Sequence, residues 1–131
     1  MDEQNKVIIY TASDGQTKID VKLEDETLWL TQAQMCELYQ TSRTNVVEHI
    51  KHIYEEGELD KEATCRNFRQ VREEGGRKVE REMTFYNLDM IIALGYRVRS
   101  IIATRFRQWA TLRLKEYMVK GFTLDDERLK K

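Results

Sequence analysis

Ser42, Arg43, Thr44 and Asn45 are consecutive side chains of the types that proteins use to contact DNA. Arginine binds guanine through two parallel hydrogen bonds, and asparagine pairs with adenine in a similar way. Serine and threonine hydroxyls bind phosphate oxygens. Lys51 follows on the same predicted helix and adds a cation. Side chains grouped in this way at the start of a helix would reach the edges of the bases in the major groove.

Two short helices are predicted to position this group. Thr31 and Gln34 have the spacing of a capping box, which marks the start of the first helix. Its buried stripe is Met35, Leu38 and Tyr39. The second helix is predicted over Arg43–Glu55, with Ser42 as its N-cap and Gly57 after its end. Its apolar face consists of Val46, Ile50 and Ile53.

A turn of about three residues joins the two predicted helices, which is the spacing of a helix-turn-helix. Gln40 stands where such motifs usually have a turn glycine, and Thr41 stands where they usually bury an aliphatic side chain. Glu48 faces the proposed groove and would oppose phosphate unless it accepts a hydrogen bond from cytosine. The alternative interpretation is an ordinary helical hairpin that packs its apolar faces into the core.

A second group of cations lies on a predicted β-hairpin between residues 68 and 86, with Glu74-Gly75-Gly76-Arg77 as its turn. A hairpin that follows a helix-turn-helix is a wing, and Arg72, Arg77 and Lys78 at its tip would contact the DNA backbone or the minor groove. In the alternative interpretation the hairpin is solvated and its arginines pair with the glutamates Glu73, Glu74, Glu80 and Glu82.

The remaining elements complete an α+β domain. Residues 7–10 and 19–24 predict an N-terminal hairpin around Asp14-Gly15, and residues 27–30 predict a third strand. Asn87 is predicted to cap a helix. A long C-terminal helix is predicted from Ser100 to Lys120, ended by Gly121. Its apolar stripe is Ile102, Phe106, Trp109, Ala110, Leu114, Tyr117 and Met118. We therefore expect one winged helix-turn-helix-like domain over residues 1–131.

The charges of the two halves differ in sign. Residues 1–63 contain 6 Lys and Arg against 14 Asp and Glu, whereas residues 64–121 contain 13 against 6. The second half would therefore attract polyanions that the first half repels. Mutual neutralisation of the two halves, within one domain or across a dimer, explains the same balance and stays open.

Several classes of protein are not indicated by the sequence. No apolar run reaches the ~18 residues of a membrane span, and the polar start predicts no secretion signal, so we expect a cytoplasmic protein. Cys36, Cys65, His49 and His52 match no zinc-binding spacing. No glycine-rich phosphate loop and no catalytic constellation is present, so we expect neither an enzyme nor a cofactor.

Longer strings resemble a known family. Residues 85–100 (FYNLDMIIALGYRVRS) look like the signature of the RhuM family of virulence-associated bacterial proteins, and the resemblance continues in residues 104–111, 114–124 and 57–60. It implies an amino-terminal winged helix-turn-helix and a distant similarity to the KilA-N and Bro-N domains of phage antirepressors. It supplies no catalytic residues. Because relatives usually continue further, we expect a piece of a longer protein, with a fused or associated effector domain such as the Fic/Doc type.

The sequence as a whole predicts binding to double-stranded DNA. Residues 42–51 would enter the major groove, the hairpin tip would flank them, and Arg97, Arg99 and Arg105 would extend the contacts to phosphate. Arg97 and Arg99 could instead pair with carboxylates such as that of Asp89. The long helix, through Trp109 and Tyr117, is a candidate interface for a homodimer. The alternative function is a protein-interaction module without DNA binding.

Overall fold

A computed structural model describes the backbone of residues 6–129 and the side chains through Met118. The strands within this part of the chain are β1 (Lys6–Thr11), β2 (Lys18–Glu24), β3 (Thr27–Leu30), β4 (Cys65–Glu74) and β5 (Arg77–Asn87). The helices are α1 (Gln32–Tyr39), α2 (Arg43–Glu55), α3 (Lys61–Thr64), α4 (Leu88–Val98) and α5 (Ser100–Leu129). The α+β class is therefore confirmed.

The strands form one antiparallel sheet in the order β1-β2-β3-β5-β4. At the first turn, the carboxylate of Asp14 accepts hydrogen bonds from the backbone N–H groups of Gln16 and Thr17, at 2.8 and 2.9 Å. The second turn has positive φ at both Asp25 and Glu26, 55° and 62°, as in two-residue hairpins that follow the twist of the strands. The predicted N-terminal hairpin and third strand are confirmed.

The helices cover one face of this sheet. Residues of β2 alternate between the core and the opposite face, so that Ile19, Val21 and Leu23 are buried in the main core. On the opposite face, the buried ring of Trp29 packs edge-on against Phe68 at 5.3 Å between centroids. A small aromatic cluster on that face therefore anchors the base of the β4–β5 hairpin.

Three helices meet around one buried tyrosine. The hydroxyl of Tyr39 on α1 donates a hydrogen bond of 2.6 Å to the carbonyl of Ile91 on α4. Gly95 of α4 lies directly against the Tyr39 ring and against Ala103 of α5, in a space that a β-carbon would overfill. Burial raises the pKa of the Tyr39 hydroxyl, so this group stays a neutral donor. These contacts fix α4 and α5 against the helix pair α1–α2.

The structure differs from the sequence predictions at three points. The short helix α3 was not predicted. The last helix does not end at Gly121 but continues to Leu129, since glycine disfavours a helix without forbidding it. The predicted apolar stripe is buried only in part, because Phe106 is fully buried whereas Tyr117 is 38% exposed. No helix within the described residues is long and apolar enough to span a membrane.

Candidate nucleic-acid interface

The turn between α1 and α2 contains a residue in the left-handed conformation, although that residue is not a glycine. Gln40 adopts the left-handed conformation, with φ 55° and ψ 53°, which such turns usually assign to glycine. Its backbone N–H donates to the carbonyl of Cys36, and its side-chain amide donates to the carbonyl of Glu37 at 2.9 Å. These two bonds stabilise the strained conformation, so Gln40 takes the role of the expected glycine.

The start of α2 is capped as predicted and is open to solvent. The hydroxyl of Ser42 accepts a hydrogen bond of 3.0 Å from the backbone N–H of Asn45. The side-chain amide of Asn45 donates to the hydroxyl of Thr41 at 2.8 Å, which holds it at the first turn. Arg43 and Thr44 are exposed, and Asn45 is half-buried. The first turn of α2 therefore presents polar side chains outward.

The exposed face of α2 lies opposite the buried side chains Val46, Ile50 and Ile53. We call it the α2 outer face, and its members are Arg43, Thr44, Val47, Glu48 and Lys51. Val47 was missed by the sequence analysis although its spacing from Arg43 and Thr44 places it there. It is 42% exposed, and an aliphatic group at such a position can contact the methyl group of thymine. Glu48 is a carboxylate of this face, 3.8 Å from the imidazole of His52, and the exposed Glu55 lies one turn beyond Lys51 on the same side of the helix.

A cleft of about 300 Å³ connects α2 to the β4–β5 hairpin. Arg43 lines it from α2, Gln32 and Ala33 line it from the start of α1, and Met83 and Thr84 line it from β5. The first residue of α2 and the base of the hairpin therefore share one surface. Arg43 and Thr84 are about forty positions apart in the sequence. No local sequence pattern indicated that Gln32 or Thr84 would line a cleft with Arg43.

The hairpin has one basic face and one mixed face. The register pairs Phe68 with Met83 and Arg72 with Val79, so alternate residues of both strands share a face. Four arginines and one glutamate lie on the first face: Arg66, Arg72, Arg77, Arg81 and Glu74. Two cations and three carboxylates lie on the other: Arg69, Lys78, Glu73, Glu80 and Glu82.

Some hairpin arginines are neutralised within the chain. Arg81 binds Glu74 through two hydrogen bonds of 2.9 and 2.7 Å, and these bonds hold the pKa of the Glu74 carboxyl below its usual range. Arg69 lies 3.7 Å from Glu80, and Arg66 pairs with Asp25 while covering the Trp29 ring. Among the described residues, no ion pair within 4.0 Å involves the three predicted tip cations, Arg72, Arg77 and Lys78. The three tip cations therefore form no close ion pair, although Glu73 lies across from Lys78 and Glu74 across from Arg77.

Arg97 has a different environment from the one predicted for a phosphate ligand. Its guanidinium donates to Glu56 at 2.7 Å and to Glu58 at 2.9 Å, and these bonds raise its pKa and lower that of Glu56. The alternative of pairing with a carboxylate therefore holds, with Glu56 and Glu58 in place of Asp89. Arg99 is exposed, and Arg105 donates to the hydroxyl of Ser13 at 3.0 Å.

Nothing in this surface has the arrangement of a metal site. In the part of the chain with described side chains, no three histidine, cysteine, aspartate or glutamate residues are grouped to hold an ion. Cys36 and Cys65 are free thiols, and burial raises the pKa of both, which disfavours the reactive thiolate.

Comparison with known proteins gives one match. The model of the virulence protein RhuM family matches residues 63–131, more than half of the chain. The chain belongs to the RhuM family. No curated protein and no solved structure showed a significant match, and the expected similarity to KilA-N and Bro-N domains was not found.

The matched part of this RhuM-family chain contains the β4–β5 hairpin, α4 and α5. It includes Arg72, Arg77, Lys78, Arg97 and Arg99, whereas α1 and α2 precede it. The family resemblance that the sequence suggested for residues 57–60 lies outside the matched region. The prediction that Ser42 to Asn45 contact DNA therefore depends on the geometry of α2 and not on family membership.

Proposed function

We propose that this RhuM-family domain binds double-stranded DNA, with α2 in the major groove and the β4–β5 hairpin as a wing beside it. The observation that carries the proposal is the cleft in which Arg43 meets the base of the hairpin. Helix and hairpin share one surface at the hairpin base, so a duplex docked against the α2 outer face would have to run along the hairpin to meet the cations of its tip.

The topology supports this assignment to the winged helix-turn-helix class. In such domains a short strand precedes the helix pair and pairs with the hairpin that follows it. Here β3 precedes α1 and pairs with β5 at Leu30 and Tyr86, so that the order β3-β5-β4 joins the helix pair to the wing. The left-handed Gln40 supplies the turn that sets the angle between α1 and α2.

The proposed contacts divide by chemistry. We assign the reading of base edges to Arg43 and Val47 on the α2 outer face and to Asn45 at the first turn, whose half-buried amide would exchange its bond to the Thr41 hydroxyl for a base. The phosphate contacts come from hydroxyls and cations: Ser42, Thr44, Lys51, Arg72, Arg77, Lys78 and Arg99. Arg97, bound to two carboxylates, is assigned instead to holding the end of α2 in place.

The test is a binding titration against random duplex DNA at increasing salt. The proposal predicts affinity that falls steeply with salt because bound cations displace counterions from phosphate. Arg43→Ala should weaken binding and change the preferred sequence, by about 1–3 kcal/mol at the affected base. The matched control is Arg113→Ala, which removes the same charge from a guanidinium bound to Glu116 at 2.8 Å. Failure of every duplex to bind at low salt would reject DNA binding.

The second candidate is a protein-interaction module. It is favoured by exposed apolar side chains on α5, namely Leu112 and Met118, which a DNA-binding surface does not require. A homodimer through Trp109 is less suited to the structure, because that ring packs against Tyr10 at 5.0 Å within the same chain. The homodimer, the cytoplasmic location and the associated effector domain stay predictions.

A further inference from the structure

A groove of about 590 Å³ lies between residues 112–117 of α5 and the sheet. Its floor is Ile8 of β1 and Leu23 of β2, and its wall is Leu112 and Tyr117 of α5. Leu112 is 58% exposed although it is aliphatic. Further back along α5, Phe106 fills the same layer between helix and sheet and is fully buried. Among the side chains that the structure describes, none fills this continuation of the core layer.

The rim of the groove is positively charged. Lys6, Arg113, Lys115 and Glu116 surround the apolar floor. Arg113 and Glu116 neutralise each other through a hydrogen bond of 2.8 Å. Lys6 lies 5.8 Å from the centre of the Tyr117 ring, and no ion pair of Lys6 or Lys115 occurs among the described residues. An occupant that matches this site needs apolar side chains at its centre and carboxylates at its edge.

We propose that this groove binds an amphipathic helical segment of a partner protein, with large apolar side chains on one face and flanking glutamate or aspartate residues. A helix laid between α5 and the sheet would complete the core layer by burying Leu112 and Tyr117, as in helix-in-groove recognition. Its carboxylates would meet Lys6 and Lys115. None of the groove residues belongs to the α2 outer face or to the hairpin tip, so this site would recruit a protein without displacing DNA.

The experiment uses two fluorescent peptides of about 16 residues, both with leucines at the helical spacing of i, i+3 and i+7. In one peptide the other positions are mostly glutamate, and in the other these glutamates are replaced by lysine. Anisotropy titration of the full chain should show micromolar binding of the acidic peptide, and the lysine peptide should bind at least ~10-fold more weakly. Leu112→Asp should abolish binding, and Lys115→Glu should weaken it.

The matched control is Ile101→Asp, which adds the same charge at another exposed position of α5 outside the groove. Ile101→Asp should bind the acidic peptide like the unmodified chain, and circular dichroism should show that both aspartate variants stay folded.

The proposal is overturned if neither peptide binds, if both bind equally, or if Ile101→Asp acts like Leu112→Asp. It is also overturned if Leu112→Asp abolishes self-association in sedimentation, which would assign the groove to a second copy. Peptide binding that requires deletion of residues 1–5 would assign the groove to the chain's own N-terminus.

Discussion

The arginines of this domain form two groups that differ in whether they are bound to carboxylates. Arg43, Arg72 and Arg77 lie on α2 and at the hairpin tip, where they are exposed and where no ion pair involves them among the described residues. At the other end of α2, Arg97 joins Glu56 and Glu58 in a three-residue cluster that we call the clamp. The clamp ties the end of α2 to the end of α4, which is 41 residues away from Glu56 in the sequence.

This difference means that, under the proposed function, charge alone does not identify a contact with DNA. A guanidinium that is already bound to two carboxylates displaces few counterions from DNA, because the carboxylates must leave before it can bind a phosphate. An exposed arginine without such partners has no competing ligand. We therefore expect the two groups to respond differently to salt, to pH and to substitution.

The largest effect is expected from Gly95→Ala, which acts on the helix that carries the clamp. The new β-carbon would lie 2.6 Å from that of Ala103 and in contact with the buried Tyr39 ring. Alanine favours a helix over glycine by about 1 kcal/mol, but overpacking of a rigid core costs about 1–3 kcal/mol. We expect a net loss of stability, measured as a lower midpoint of urea unfolding.

The control for that substitution is the double variant Gly95→Ala with Tyr39→Phe. Removing the hydroxyl deletes the atom nearest to the new β-carbon, so part of the loss should be recovered relative to the sum of the single variants. If Gly95→Ala unfolds at the same or a higher urea concentration than the unmodified domain, α4 has room to move, and the close packing of Gly95 against Tyr39 and Ala103 is wrong.

The sequence predicted most of the fold because local signals were strong. Ser42, Thr31 and Asn87 each cap a helix as their residue types indicate. The Asp14-Gly15 and Gly75-Gly76 pairs lie in the hairpin turns. The continuation of α5 past Gly121 was not predicted, because a single glycine marks the end of a helix only when the chain there adopts the left-handed conformation.

The candidate site could be predicted only in part. The exposure of Arg43 and Thr44 follows from helical periodicity, since Val46 and Ile50 must face the core. The pairing of Arg97 with Glu56 and Glu58 depends on how α4 packs beside α2, and no local pattern contains that information. For the same reason the sequence could not show that Arg81 is neutralised while Arg77 on the same face is not.

A smaller effect is expected at the hairpin, where paired and unpaired arginines can be compared directly. If Arg77 contacts phosphate, Arg77→Gln should weaken binding to all duplexes alike and reduce the salt slope of log K by about 0.9. The matched control is the double variant Glu74→Gln with Arg81→Gln, which removes a bound ion pair and leaves the net charge unchanged. Its slope should stay near that of the unmodified domain. Equal changes in both proteins would contradict the distinction between the two arginines.

Arg97→Gln tests the clamp with the same assay. We expect a modest loss of DNA affinity with no change in the salt slope, because Arg97 positions the end of α2 without contacting phosphate. The double variant Glu56→Gln with Glu58→Gln should give the same loss, although it removes negative charge and would strengthen binding if simple attraction were decisive. A slope reduced by about 0.9 in Arg97→Gln would instead make Arg97 a phosphate ligand.

The smallest effect is the pH dependence of the clamp. The bonds from Arg97 hold the pKa of the Glu56 carboxyl below its ordinary value of 4.5, so the folded state binds this proton less readily than the unfolded state does. The clamp therefore stabilises the fold fully above about pH 5 and loses its contribution as the pH falls through the lowered pKa.

The difference in urea midpoint between the unmodified domain and Arg97→Gln should be constant from pH 6 to pH 8, within about the error of the midpoints, and should shrink toward pH 3. Because both carboxylates are exposed, salt should reduce the same difference at neutral pH. A difference that persists unchanged at pH 3 would mean that Arg97 acts through packing of its hydrocarbon stem and not through its two carboxylate partners.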